Sequence, residues 1–431
     1  MHNRALLWFN QDLRLDDNLA LRIAARQSRQ LLCIYCLDPV QFRSDHYGTR
    51  GLGERRWGFL HASLAALDQA LDAYGQRLHV LLGEPVQLIS QLVPLLDLDA
   101  VYRGHPTVPD EFQPWQRLQQ RFPYLRWVAV RNGELFSQRR LPFPLSALPT
   151  AESDFIAGMV QGSVPPPCPP PRVLPPPPPD VPSGPKPPPT SAVPSPVPTG
   201  ERELKLQLQC YLQTPPADGE VSDPPSNCRL DPWFANGSLS PRRAWAASNK
   251  PDVAPAAQKA LRAVLLRREY YRWHARYAGD RLYAFSGVAG RRPLTSFYPE
   301  RFARWCQGDT PLPLVNACLN ELNSTGLLAP WGRRLAARYL VKELAVDWRA
   351  GARYFQQQRL DYDAAENWGL WQQVAGVGPA AGQEQCDLED AATLSARHDP
   401  TGAYQRRWSP GTAAEAIDSV DPADWPIPPR H

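Results

Sequence analysis

ALLWFN (5–10), LALRIAARQSRQ (19–30) and LLCIYCLD (31–38) decide the fold: an apolar run, a helical repeat, then a second apolar run. Working outward, ERRWGFLHASLAALDQALDAYG (54–75) places Phe59, Leu60, Leu64, Leu67 and Leu71 at helical spacing and ends on Gly75, a plausible C-cap. RLHVLLGEP (77–85), AVYRG (100–104) and LRWVAV (125–130) supply further strand candidates. Strands that alternate with helices imply a parallel sheet covered on both faces.

Beyond residue 140 the composition changes. The chain carries 49 prolines, far above the usual share of about 5%. Nearly half of them fall between Pro142 and Pro198, in runs such as PPPCPPPRVLPPPPPD (165–180). Proline lacks the amide donor and fixes φ, so such runs form neither helix nor sheet and act as semi-rigid spacers. An SH3-type ligand is the other reading of any PxxP segment, and its pattern is much less specific. After Gly200 the patterns are helical, clearest in LRAVLLRREYYRWHARYAG (261–279) and GRRLAARYLVKELAVDWRAGARYF (332–355). In the latter, Leu335, Tyr339, Leu344, Trp348, Gly351 and Phe355 predict one continuous buried stripe. The expected organisation is an α/β parallel-sheet domain over 1–140, a proline-rich linker over 141–199 and an all-α domain over 200–431.

Bulk properties set the bounds. The 431 residues carry a formal charge of +4, too weak a balance to argue for nucleic acid unless a local basic face exists. No run of about 18 apolar residues is present, which excludes a membrane-spanning helix. The start turns charged too early for a signal peptide. Eight cysteines in a chain this long are not a secreted disulfide framework. A soluble, cytoplasmic protein is expected.

Most enzyme signatures fail. Cys33 and Cys36 form a CxxC, but in a strand they point to opposite faces, and no second pair completes a zinc site. Gly48, Gly51 and Gly53 do not follow a strand into a helix in the dinucleotide-binding pattern. No zinc-protease, nucleophile-elbow or phosphate-loop motif is present, and the histidines show no ligand spacing. No metal is expected.

The informative constellation lies between Asn316 and Trp408. Arg333 and Arg334 open a helix rich in aromatic residues. RLDYDAAENWGLWQQVAGVG (359–378) then sets Asp361, Asp363 and Asn367 in a short polar loop beside Trp368 and Trp371. One reading is a capped helix junction, because Asp and Asn favour caps and turns. The other is a pocket for a large, flat, polar-edged cofactor with a redox-capable indole wall.

The stretch from Asn320 to Gly378 resembles the flavin-binding core of the photolyase/cryptochrome family. WFNQDLRLDDNLAL (8–21) is similar to that family's opening strand and loop, ANGSLSPRRAW (235–245) to a helix start, and RHDPTGAYQRRWSP (397–410) to its closing segment. NWGLWQQVAGVG and the DPTGAYQRRW tail resemble the DASH cryptochromes among its subgroups. The resemblance implies an α/β domain, at times with a pterin (methenyltetrahydrofolate) antenna, ahead of a helical domain holding FAD. It also implies blue-light-driven electron transfer and repair of cyclobutane pyrimidine dimers in single-stranded or damaged DNA.

Carried over by position, Arg333 and Asp361 match a salt-bridged pair beside the flavin ring, and Asn367 an amide facing its reactive nitrogen. Asp363 matches a further flavin contact. Asn227, Cys228, Arg229 and Leu230 match the phosphate loop, and Arg268 the arginine after a substrate-side tryptophan. Trp371 and Trp348 match the inner and middle members of an electron-relay chain.

Departures are equally specific. Asn227, Cys228 and Asp231 replace small hydroxyl residues. A carboxylate 4 Å from a diphosphate repels it by about 4 kcal/mol at an effective dielectric near 20. Arg229 could offset that, or Asp231 could turn away to cap the next helix. Ala329, Pro330 and Trp331 replace an HNR triplet, and Trp331 is expected to fill the space released. Val315, Asn316, Ala317 and Asn320 lack an acid–base pair of the family, a salt bridge lost as a unit. Val264 and Arg267 stand where a Glu and a stacking Trp are expected, and Pro106 where an antenna-binding Glu is expected. The outermost relay tryptophan has no match; Phe297 and Tyr298 lie nearest. Arg262, Arg267, Arg268, Arg272, Arg276, Arg291 and Arg292, interleaved with Tyr270, Tyr271 and Trp273, could track a single strand or form a solvated helix surface.

Two functions follow from these residues. One is a DASH-type photolyase-like flavoprotein acting on single-stranded DNA. The other is a divergent, non-catalytic relative with weak or no FAD that binds nucleic acid or regulates. Whether the chain is an enzyme turns on which departures are tolerated.

Overall fold

The computed structural model describes residues 1–159, 162–182, 184–185, 187–190, 197–213, 229–381 and 391–409. They form two compact units. The first holds residues 1–40, 57–148 and 152–276; the second holds 41–56, 149–151 and the rest of the chain from Tyr277. Among the described residues no helix is long and apolar enough to cross a membrane.

The first unit is built on strands β1 (His2–Phe9), β2 (Ser28–Leu37), β3 (Leu78–Leu82), β4 (Ala100–Gly104) and β5 (Arg126–Val130). They form one sheet in the order β3-β2-β1-β4-β5, with every pairing parallel. All five coincide with the apolar runs read from the sequence. Helices α1 (Leu19–Gln27), α2 (Glu54–Asp72), α3 (Pro85–Leu95) and α4 (Pro109–Arg121) connect them. Leu6 pairs with Leu32 and Val101 in register, and these side chains pack with Trp8, Ile34, Trp115 and Leu118 into one core. Fully apolar central strands are what burial on both sheet faces requires. Cys33, between Leu32 and Ile34, is buried on the opposite face of the sheet, and burial pushes its thiol up to about 12.

Four helices of this unit follow the sheet in sequence: α5 (Glu152–Met159), α6 (Glu201–Gln213), α7 (Asp231–Asn236) and α8 (Pro241–Ser248). The long α9 (Pro255–Ala278) comes next, and its residues up to Arg276 belong here. The strand order reverses between β1 and β4, the position where open parallel sheets usually bind ligands. Here protein fills that crevice. Asn132 donates to Asp12 and Asn18 at 2.8 Å each, and Arg14 donates to the Gly237 carbonyl at 2.7 Å. Gly237 closes α7 at φ +75°, and a Cβ there would sit 1.9 Å from the Gln11 carbonyl oxygen. The two motifs at 8–21 and 235–245 lock together at this place. Arg243 binds Asp16 at 2.5–2.7 Å, Arg242 binds Asp17 at 3.0 Å, and Ser240 also bonds Asp17.

Helix α9 corrects the expectation of a basic face. Arg268, Arg272 and Arg276 are spaced four apart and all turn inward. Arg268 donates to the Gly133 carbonyl, Arg272 to Thr107, and Arg276 pairs with Glu134. Tyr270, Tyr271 and Trp273 are buried with them. Glu269 is fully buried and accepts from Leu135 N at 2.8 Å and Trp273 Nε1 at 3.1 Å. Arg267 is held by Glu152 at 2.7 Å, and Arg262 lies over the Trp245 ring.

The two buried acids respond oppositely to this setting. Burial raises the Glu269 carboxyl, whereas at Glu134 the attraction of Arg276, Arg272 and His105 outweighs burial and holds the pKa at about 2. Its ordinary value is 4.5, so the Glu134 pair contributes fully above pH 4.5 and is lost as pH falls towards 2. A shift of that size is worth roughly 3 kcal/mol. Glu134→Gln should therefore lower the urea midpoint most above pH 5, with the gap to the parent narrowing as pH falls to 3. A gap independent of pH would count against the pair.

The second unit is helical. It contains α10 (Pro299–Gln307), α11 (Pro313–Thr325), α12 (Pro330–Arg338), α13 (Trp348–Gln358), α14 (Ala364–Ala375), α15 (Ala391–His398) and α16 (Ala403–Trp408). The single helix expected over 332–355 is two helices. A π-helical turn at Tyr339–Glu343 follows α12, Ala345 takes φ +51°, and α13 starts afresh at Trp348. The break is anchored on both sides: Ser296 N donates to Ala345 O at 3.0 Å and Asp347 N to Ser296 O at 2.7 Å. Asp347 then caps α13 through Arg349 N and accepts from the Tyr47 hydroxyl at 2.7 Å. All six residues of the expected stripe are nonetheless buried, because the break keeps both helices facing the same core.

Candidate functional site

Helix α12 opens on Pro330, whose missing amide costs nothing at a helix start. Its first turn carries Arg333 into the interior. There Arg333 donates through Nε to the Leu328 carbonyl at 2.8 Å, through Nη1 to Glu366 at 3.1 Å, and through Nη2 to Asp361. Asp361 lies in the turn between α13 and α14. Its other oxygen, Oδ1, accepts from Arg359 Nε at 2.9 Å, so two buried guanidinium groups clamp one buried carboxylate. Bidentate or doubly paired geometry is what makes a buried ion pair tolerable.

Asp363 caps α14, accepting from Ala365 N at 2.9 Å and Glu366 N at 3.3 Å. The capped junction is thus present, and the polar cluster is built on it. One turn into α14, Asn367 is fully buried. Its Nδ2 donates to the Ala352 carbonyl at 3.1 Å, and its Oδ1 lies 3.5 Å from Arg359 Nη1.

Trp371 sits a further turn along α14, fully buried, with its indole N–H making no hydrogen bond. Its ring contacts Phe355 at 5.1 Å and Trp305 at 6.3 Å between centroids. Trp348 is also fully buried. It donates to the Phe285 carbonyl at 3.0 Å and packs edge-on against Trp368 at 5.7 Å. Phe297 and Tyr298, nearest to the missing outer relay position, engage Tyr47 at 4.9 Å and Arg301 at 4.1 Å respectively.

The second unit therefore brings together Arg333, Asp361, Asp363 and Asn367; Trp371 follows Asn367 one turn along α14, and Trp348 packs on Trp368. Arg268, Arg229 and Leu230 belong to the first unit. There Arg268 is buried on Gly133, Arg229 is half-buried, and the Leu230 carbonyl accepts from Trp233 N at 3.1 Å. Asn227 and Cys228 lie outside the described residues. Asp231 does not cap α7 with its side chain; Leu230 occupies the cap, and Asp231 stands in the first turn.

Trp331 does not fill the interior either. It stacks on His398 at 4.7 Å, with the rings 4° from parallel, and contacts Tyr404 at 5.4 Å. Packing on α15 through His398 and on α16 through Tyr404 satisfies this ring and leaves the interior unplugged by it. Asn316, which stands where the family has an acid, ties down a turn instead, accepting from Thr310 N at 2.9 Å and donating to Thr310 O at 2.7 Å.

Arg359 and Glu366 were not singled out from the sequence. Glu366 follows Asp363 by three residues, the spacing of a capping box, which conceals its contact with Arg333. Arg359 stands two residues before Asp361, too close for helical periodicity to pair them.

The cluster fits an isoalloxazine edge on its own chemistry. Asp361 and Glu366 are claimed by guanidinium groups, Asp363 by backbone amides, and the Trp371 indole N–H is left without an acceptor. A neutral, hydrogen-bonding ring suits that lining better than a further charge.

Comparison with known proteins agrees. A DNA photolyase family model matches residues 5–136, and one for the FAD binding domain of DNA photolyase matches residues 263–426. Cryptochrome DASH of Idiomarina loihiensis is 38% identical over 98% of this chain and 96% of its own length. That of Vibrio parahaemolyticus is 34% identical over 98% and 97%. The crystal structure of a Synechocystis cryptochrome superposes with a TM-score of 0.88 at 28% identity, covering 95% of this chain and 89% of that one.

Proposed function

That this chain belongs to the photolyase/cryptochrome family, alongside the DASH cryptochromes it matches, is the premise from which we propose a blue-light-driven electron-transfer flavoprotein. The observation that carries the proposal is the buried Arg333–Asp361 pair in one hydrogen-bonded cluster with Asn367, one helical turn from Trp371. FAD supplies the light absorption and one-electron chemistry when bound. Arg333, Arg359 and Asp361 give its ring a fixed ionic edge that needs no reorganisation. Asn367 offers one amide donor and one acceptor, and Asp363 holds the helix that presents it. Buried indoles at Trp371 and Trp348 exclude water and provide an oxidisable wall.

For the substrate we infer single-stranded DNA carrying pyrimidine dimers, on family resemblance. A second reading has its own observation: Arg268, Arg272 and Arg276, which by sequence could track a strand or form a solvated surface, are committed to the interior of the first unit. It makes the chain a light-responsive relative without repair. A pterin antenna would lack its expected carboxylate contact in this chain. Pro106 offers no carboxylate, and the neighbouring Glu134 is already paired with Arg276.

The test begins with a visible spectrum of the purified chain; a colourless protein that takes up no added FAD would overturn the proposal. With flavin bound, Trp371→Phe should slow photoreduction by at least tenfold, and unchanged kinetics would remove Trp371 from the path. Illumination with a reductant and a dimer-containing oligonucleotide then separates the two readings, since only the first restores the intact bases.

A further inference from the structure

We propose that Arg359 is a positioning residue for the flavin ring: it sets the orientation of the Asn367 amide and, balanced by Glu366, the charge around Asp361. This rests on the reading that the Arg333–Asp361–Asn367 cluster holds the cofactor. Arg359 ends α13 and has no exposed side-chain surface. Burying a guanidinium costs several kcal/mol unless its donors are met. Here Asp361 Oδ1 at 2.9 Å and the Asp361 carbonyl and Asn367 Oδ1 at 3.5 Å each accept from them, and Glu366 Oε1 adds a counter-charge 4.0 Å away.

The contact with Asn367 has a directional consequence. A guanidinium only donates, so it requires the carbonyl oxygen of the amide. Ala352 O takes one N–H from the other end. An Asn amide has two N–H groups and two lone pairs, so one donor and one acceptor remain, with their directions set by Arg359. Reversing the amide would put an N–H against the guanidinium.

Charge gives a second consequence. Arg333 and Arg359 face Asp361 and Glu366, two positive groups against two negative ones. Reduced flavin carries more negative charge than oxidised flavin, so an imbalance in this quartet acts on the two states differently. Removing Arg359 leaves the quartet negative; neutralising Glu366 leaves it positive. A residue that only packs would change stability without this opposition of sign.

The experiment measures the midpoint potential and dissociation constant of FAD in the full chain and in Arg359→Met, Arg359→Lys and Glu366→Gln. Arg359→Met should lower the potential and Glu366→Gln should raise it. Each change is expected to be about tenfold in the relative affinity for reduced over oxidised flavin, which is about 30 mV for a two-electron couple. Arg359→Lys, which keeps the charge but not the planar fork, should shift the potential less than Arg359→Met while still weakening FAD binding. Shifts of one sign, or none, overturn the proposal. If Arg359→Met does not fold, Glu366→Gln decides alone, because Glu366 is partly exposed and only an upward shift fits. Asp361→Asn tests the underlying reading. Flavin lost from protein that stays folded by circular dichroism supports it, and wild-type affinity overturns reading and proposal together. Flavin lost there with unmoved potentials in the other variants overturns the proposal alone.

Discussion

Asp361→Asn should destabilise the protein by about 3–5 kcal/mol, the usual consequence of removing one member of a buried ion pair. The amide preserves shape but not charge. Two guanidinium groups, Arg333 with 5% of its side chain exposed and Arg359 with none, would then share Glu366 as their remaining carboxylate in the cluster. Neither can shed its proton, since arginine stays charged in proteins. The urea midpoint should fall while the slope stays constant, because the surface exposed on unfolding is unchanged. Ligand binding adds to the stability of the folded state, so the loss should be larger in the presence of FAD than in its absence. A loss below about 1 kcal/mol, or one that ignores FAD, would show that the carboxylate is neither clamped nor part of the cofactor site.

Gly351→Ala should destabilise the protein as well, against the ordinary expectation. In an exposed helix interior that change gains about 1 kcal/mol from helix propensity. In α13 the new Cβ would lie 2.1 Å from Trp371 Cη2 and 2.6 Å from Leu340 Cδ2. Both side chains are fully buried, so the ring must leave its place, and overpacking of this kind costs about 1–3 kcal/mol. The displacement also disturbs the ring that follows Asn367 along α14. A changed near-ultraviolet dichroism and slower flavin photoreduction should accompany the lower urea midpoint. An increase in stability would mean that the indole has room to spare.

The legible part of this molecule is the part governed by local pattern. Five apolar runs gave five strands, because a parallel sheet buries both faces and leaves little ambiguity about what such runs do. Arg333, Asp361 and Asn367 were recognisable through resemblance, and they do converge. Two kinds of feature were illegible. Helix α9 reads as basic and aromatic, and composition suggested a surface. Yet Arg268, Arg272 and Arg276 continue the stripe of Leu261 and Leu265 at spacings of three and four, and their partners Gly133, Thr107 and Glu134 are remote in sequence. The other illegible feature is the break after α12. Leu344 and Trp348 keep a helical period, so nothing local announces the left-handed Ala345 or the segment near Ser296 that holds it. Arg359 and Glu366 escaped for a related reason: their partners are set by how three helices meet.

The widened turn at Tyr339–Glu343 adds a surplus residue to the end of α12, directly ahead of the left-handed Ala345. Together they set how one half, α12 with Arg333, meets the other, α13 with Trp348. Each half is keyed separately to α14, by Arg333 on one side and by Gly351 beneath Trp371 on the other. Single-residue insertions and deletions, more than substitutions, are what this stretch of chain has least room to accommodate.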